Sequence, residues 1–160
     1  MNELAWIAEA RSLIGLREIA PNKHPKIQAW QIELGAAWLG AVPWCGVFAA
    51  ICAKRGGKTW PEHFYRASAW STFGAALDRP AYGCIVTFTR AGGGHVGFCV
   101  GKDKRGNLMI LGGNQGDSVC IKPFSAARVS SFRWLGVAPL PERYNLPTLN
   151  SDGRVSENES

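Results

Sequence analysis

Cys45, His95 and the run Asn114-Gln115 are the residues of this chain whose types and surroundings could do chemistry together. Cys45 follows Pro43-Trp44 and opens a stretch, Trp44 to Arg55, in which almost every residue is apolar or small. A thiol at a helix N-terminus meets the positive end of the macrodipole and unpaired N–H groups, and both stabilise the thiolate that acts as a nucleophile. Free cysteine is otherwise a small buried hydrophobe, a reading that suits Cys52, Cys84, Cys99 and Cys120. Cys52 lies about 10.5 Å further along a straight helix, too far to bridge to Cys45, since disulfide Cα atoms lie within roughly 7 Å.

A thiolate nucleophile needs a base to hold its proton and a third group to orient that base. His95 opens the run His95-Val-Gly-Phe-Cys-Val-Gly101, whose alternation puts His95, Gly97 and Cys99 on one face and Val96, Phe98 and Val100 on the other. Two small neighbours leave room beside the imidazole. His63 and His24 have no such setting. For the orienting group, Gly112-Gly113-Asn114-Gln115-Gly116-Asp117 follows the next strand pattern, and Asn114 suits the task of fixing the tautomer. Gln115 and Asp117 remain substitutes, and the segment also reads as a plain hairpin turn. Trp44 and Trp70 are candidates to line a substrate groove, although aromatics at helical spacing commonly belong to a core.

The elements that must position these residues fall in two blocks. Glu3 to Ile14 reads as an amphipathic helix with Asn2 as cap and Gly15 as stop; Pro25 opens a second helix that Gly35 ends; Trp44 to Arg55 is a third, buried nearly all round; Arg66 to Leu77 carries a fourth helical pattern. After Pro80 the pattern changes to short β-rich runs at Cys84 to Thr89, His95 to Gly101, Asn107 to Gly112, Ser118 to Pro123 and Ser131 to Ala138. The turns Arg90 to Gly94 and Lys102 to Gly106 are short enough for antiparallel neighbours. Helices first and a meandering sheet second give an α+β fold. Residues 1–147 are expected to form one domain and the polar residues 148–160 a disordered tail.

With 160 residues, 46% hydrophobic and 19% charged, the chain has the composition of a soluble globular domain, and no run approaches the ~18 apolar residues of a membrane span. Stable membrane insertion is not expected. Glu3 stands where a secretory signal carries a base, so synthesis in the cytoplasm is the expectation. Five cysteines cannot all pair internally, and with no CxxC or HExxH and three dispersed histidines, neither a metal nor another cofactor is expected. A net charge of +6 and a pI near 9.3 favour anionic partners. The basic residues are scattered and not interleaved with aromatics, which argues against nucleic acid.

Taken together, Val42-Pro43-Trp44-Cys45-Gly46-Val47-Phe48-Ala49, Gly94-His95-Val96-Gly97-Phe98 and Leu111-Gly112-Gly113-Asn114-Gln115-Gly116 resemble the NlpC/P60 and CHAP-like cysteine peptidases of the papain-like fold. The likeness is greatest to the small single-domain branch of phage and prophage lysis proteins and runs from about Ala10 through Phe132-Arg133-Trp134. One departure is Gly83-Cys84, where many relatives have Gly-Asp. The resemblance implies a nucleophile at Cys45, a general base and acid at His95, a polar third member at Asn114, and a nucleophile helix packed on a five- or six-stranded antiparallel sheet. It implies hydrolysis of an amide in the stem peptide of bacterial peptidoglycan by a monomeric enzyme, with Trp44, Trp70 and Gln115 as substrate contacts. For a phage or prophage endolysin it implies action in the periplasm or cell wall after holin-dependent release. The alternatives are a secreted antibacterial toxin with the same chemistry, an acyltransferase on the same fold, and a non-catalytic basic wall-binding module.

Overall fold

The helical periodicities form α1 (Ala5–Ser12), α2 (Pro25–Glu33) and α3 (Cys45–Arg55) in a computed structural model that describes residues 2–90 and 93–156. Pro25 takes the first helical position of α2, and the Nδ1 of His24 accepts from Lys26 N–H (2.9 Å), satisfying one of the N–H groups that every helix start leaves over. In α3 every residue from Cys45 to Ala53 is buried, and Lys54 and Arg55 supply cations at the negative end of the helix. Arg55 bonds Glu9 (2.8 Å) and Glu33 (3.0 Å), tying α1 and α2 to the end of α3. The hydrogen bond from Arg55 also holds the Glu33 carboxyl below its ordinary range.

The strands are β1 (Ala75–Leu77), β2 (Ile85–Arg90), β3 (Gly93–Lys102), β4 (Leu108–Gly112), β5 (Cys120–Phe124) and β6 (Val129–Trp134). They form an antiparallel sheet in the order β1-β6-β2-β3-β4-β5, so β6 returns to pair between β1 and β2. The α+β order holds. His95 pairs with Phe88 and Phe98 with Leu111, which puts β3, the expected histidine strand, inside the sheet. The turn from Lys102 to Gly106 joins β3 to β4 as expected; residues 91 and 92 of the turn Arg90 to Gly94 lie outside the described residues. α3 packs against β3 and β4, and Trp30, Phe48, Ile51, Phe98 and Ile110 are among the fully buried core side chains.

The fourth helical pattern is a correction. Residues Arg66 to Leu77 form a six-residue 3-10 turn, Ala67–Thr72, followed by β1. Gly74, at φ 76, ends the turn, and a Cβ there would overlap Trp134 O, so the chain lies flat against β6 and pairs with it. Trp70 keeps its place in the core because its Nε1 donates to Phe64 O (2.9 Å).

Residues 148–156, expected to fray, run along the sheet. Lys102 N–H donates to Pro147 O (2.9 Å), Leu149 N–H to Lys102 O (2.7 Å) and Ser156 N–H to Pro123 O (2.8 Å). Asp103 clasps this segment: its carboxylate accepts from the N–H groups of Arg105 and Asn107, from the Asn107 amide and from Ser151 Oγ (2.9, 2.9, 2.9 and 3.0 Å). Residues 157–160 of the expected tail lie outside the described residues. Those donors, the Asn107 side chain first, hold the Asp103 carboxyl below its ordinary range. A carboxyl with a depressed native pKa contributes stability above its unfolded pKa and loses it as pH falls through the native one. Acidification, or Asp103→Asn at neutral pH, should therefore raise amide exchange in residues 148–151 well before exchange rises in β3, as hydrogen-exchange mass spectrometry would show.

Candidate active site

α3 begins at Cys45 with Trp44 as its N-cap, and no side chain caps it. Trp44 is anchored, because its Nε1 donates to Glu18 Oε1 (2.9 Å) and its ring packs on Trp30. Gly46 permits the next approach: a Cβ there would overlap Phe64 O, so only glycine lets the Phe64–Tyr65 backbone cross the first turn of α3. That crossing seats residues 64–71 as a wall beside Cys45. The result is a cleft of about 640 Å³ in which Pro43, Cys45 and Tyr65 share the lining with Thr87, Phe88, Thr89, Gly94 and Ser130. Arg66, Ser68 and Ser71 line it as well. Among the described lining residues Arg66 alone is charged and none is acidic.

His95 is fully buried beside this cleft, between the lining residue Gly94 and its cross-strand partner Phe88. Its ring stacks on Phe124 (centroids 5.2 Å, planes 5° apart) and lies 6.2 Å from Phe88, so packing sets its plane. A hydrogen bond sets its tautomer. Nε2 of His95 lies 2.9 Å from Oε1 of Gln115, while Nε2 of Gln115 donates to the carbonyls of Ile110 (3.1 Å) and Cys120 (2.8 Å). Two carbonyls can only accept, which assigns the amide nitrogen to their side and the amide oxygen to the imidazole. In neutral His95 the proton therefore sits on Nε2 and the basic lone pair on Nδ1.

Glycines make room for that bond. A Cβ at Gly112 would overlap Gln115 Oε1 and lie 3.4 Å from His95 Nε2, and one at Gly97 would overlap Ile110. A Cβ at Gly113 would meet Phe48 Cβ at 2.6 Å and Trp44 Cζ3 at 2.9 Å, so the same loop rests against the first turns of α3. The loop is further held by Gln115 N–H to Ser118 O (2.9 Å), Glu18 N–H to Asp117 O (3.0 Å) and Val119 N–H to Leu16 O (2.8 Å). Glu18 thus links the N-cap of Cys45 to the loop of Gln115.

Three expectations change. The carboxamide on His95 Nε2 is that of Gln115, where Asn114 was expected; Asn114 is buried in the left-handed region (φ 59), turned by the same tight loop. Gln115 is fully buried and bonded to protein carbonyls, which removes it from the substrate contacts. Trp44 and Trp70 are fully buried core residues with their indole N–H groups used internally, so neither lines the cleft. Of the residues that do, Arg66 and Ser68 stand in the run Arg66 to Trp70, and Glu18 closes the run Ile14 to Glu18; both runs lie within the span of the resemblance, but neither marks a site residue by its type. Among the described residues no group of three or more His, Cys, Asp or Glu could hold a metal, and no helix is long and apolar enough to cross a membrane.

Gly46→Ala should destabilise the chain by roughly 1–3 kcal/mol, measured by denaturant unfolding, because its Cβ meets backbone that cannot swing aside. Imidazole ¹⁵N shifts should show the Nε2–H tautomer of His95 in the native chain, and Gln115→Leu should release it toward a mixture of tautomers. Comparisons with protein-family models, curated proteins and solved structures return no match to this chain, so the reading of its site rests on the residues themselves.

Proposed function

We propose that the chain is a cysteine hydrolase with Cys45 as nucleophile, His95 as general base and acid, and Gln115 as the residue that orients His95. The observation that carries this reading is the Gln115–His95 bond, because it gives a buried imidazole one defined basic nitrogen beside a cleft that also contains a thiol at an uncapped helix start.

In this reading Nδ1 of His95 takes the Cys45 proton, and the thiolate attacks an amide carbonyl to give a tetrahedral oxyanion. The imidazolium returns the proton to the leaving amine, and water hydrolyses the thioester with His95 acting again as base. The Nε2–H stays on Gln115 Oε1 throughout, so the ring does not rotate away between the steps. A neutral carboxamide orients the imidazolium without adding a full negative charge beside it. In this mechanism backbone N–H groups at the start of α3 receive the oxyanion, where one donor is worth about 2.7–4 kcal/mol in comparable acyl-transfer sites.

The substrate class is proposed from the resemblance of the Cys45, His95 and Gly112–Gln115 segments to NlpC/P60 and CHAP-like peptidases, with the α+β architecture read as papain-like. It is the stem peptide of bacterial peptidoglycan, cut at the lactyl–alanine amide or between peptide residues, in the setting of a phage or prophage lysin. A cleft with Arg66 and no acidic lining residue suits a peptide rich in carboxylates, and a net charge of +6 suits an anionic wall.

Digestion of purified peptidoglycan by the native chain and by Cys45→Ala, with released fragments identified by mass spectrometry, tests this directly. Release should fall at least about 10³-fold in Cys45→Ala, while its unfolding transition stays within a few degrees of native. Equal release by both proteins would assign the chemistry to another residue. No release by the native chain, with binding to the wall retained, would make the chain a binding module.

A further inference from the structure

We propose that Cys84 and Cys99 are a preformed dithiol, outside the active-site cleft, that closes to an intramolecular disulfide when the chain folds in the presence of a small disulfide oxidant. The geometry comes from the way β2 enters the sheet. Cys84 N–H donates to Ala81 O (3.0 Å), closing a turn with Gly83 at φ 90. Gly83 N–H then donates to Cys99 O (2.7 Å), and Cys99 N–H donates to Cys84 O (3.0 Å). Two residues of one strand therefore face one residue of the other, a bulge whose first position favours glycine.

This bulge sets Cys84 across from Cys99, with Ile85 and Phe98 as the next pair. Opposed residues of antiparallel strands have Cα atoms about 4.5–5.5 Å apart, within the roughly 4.4–6.8 Å over which disulfides close. Both side chains are fully buried, and the Cys99 thiol donates to Gly101 O (3.6 Å). The remaining cysteines are placed differently. Cys45 and Cys52 stand two turns apart on α3, and the Cys120 thiol donates to Gln115 O (3.3 Å).

The exchange balances with oxidised glutathione as the oxidant class. One protein thiolate attacks a glutathione sulfur, releasing one reduced glutathione and leaving a mixed disulfide. The second protein thiol gives up its proton and attacks the protein sulfur of that bond, releasing a second reduced glutathione. Both thiols are fully buried, out of reach of a solvent oxidant in the closed native sheet, so the reaction belongs to the folding chain. The product staples β2 to β3, the strands that carry Phe88 and His95, without touching either residue.

The test is to refold the full chain from denaturant in a glutathione redox buffer and, in parallel, in excess dithiothreitol, then alkylate all accessible thiols in denaturant. The glutathione sample should carry three alkyl groups against five in the reduced sample, with one cross-linked peptide joining Cys84 to Cys99. Its Tm should be higher by on the order of 5–10 °C, and Cys99→Ala should abolish both the cross-link and the difference. Full alkylation of the refolded glutathione sample, a cross-link on any other pair, or a bond that lowers Tm would each overturn the proposal.

Discussion

A carboxamide can hold an imidazole in one tautomer only if its own orientation is fixed, and Gln115 is fixed by the carbonyls of Ile110 and Cys120. Much of the site's architecture follows from accommodating that side chain. It is fully buried, so its donors and acceptor must all be satisfied by protein, and the loop that carries it must turn sharply within a few residues. The left-handed conformations of Asn114, Gly116 and Asp117 provide the turn, and Gly112 and Gly97 leave the volume that the amide and Ile110 occupy. Phe124 and Phe88 then close on the ring of His95 and remove its remaining freedom. Three strands share these constraints, β4 and β5 holding the amide and β2 and β5 the ring.

The helix that carries Cys45 is attached to the same network at two points. Glu18 accepts from Trp44 through its side chain and donates to Asp117 through its backbone, so one residue from the α1–α2 connection bonds to both halves of the site. Gly113 brings the loop against Phe48 and Trp44. Neither contact touches a reacting atom. Their effect is positional, and position matters because displacements of about 1 Å in an active site can cost on the order of 10²-fold in rate. The ion pairs of Arg55 with Glu9 and Glu33 act at the far end of α3, where exposed pairs are worth only about 0.2–1 kcal/mol each, and they set the helix bundle more than the site.

How much of this was legible depends on whether the governing contact was local. Cys45 was legible because Pro43, Trp44 and Gly46 mark a helix start whose burial continues to Ala53, all within one element. His95 was legible from alternation along one strand. The choice between Asn114 and Gln115 was not, because adjacent residues in a left-handed turn point in unrelated directions and only the positions of the Ile110 and Cys120 carbonyls decide which side chain reaches the ring. Arg66 to Leu77 misled for the opposite reason: Trp70, Phe73 and Leu77 repeat at helical spacing, yet Gly74 and the free edge of β6 draw the chain into a strand. Trp44 and Trp70 stood between groove and core, and the contacts that decide for the core, from their N–H groups to Glu18 and Phe64, lie 26 and six residues distant. Residues 148–156 carry no apolar pattern, and their order comes from backbone bonds and from the Asp103 clasp.

The five thiols show how one fold gives the same side chain different chemistries. Cys52 is sealed in the core, and burial pushes its pKa well up, which leaves it inert as a nucleophile. Cys84 and Cys99 are equally sealed but face one another across a bulge, so their available chemistry is with each other. Cys120, half-buried, uses its sulfur as a weak donor to Gln115 O and so belongs to the support of the histidine. Cys45, although only 5% exposed, lines the cleft and sits at a helix N-terminus. Exposure alone would rank Cys120 as the reactive thiol. The proposed nucleophile role rests instead on the electrostatics of the helix start together with access from the cleft, and of the five thiols only Cys45 combines the two.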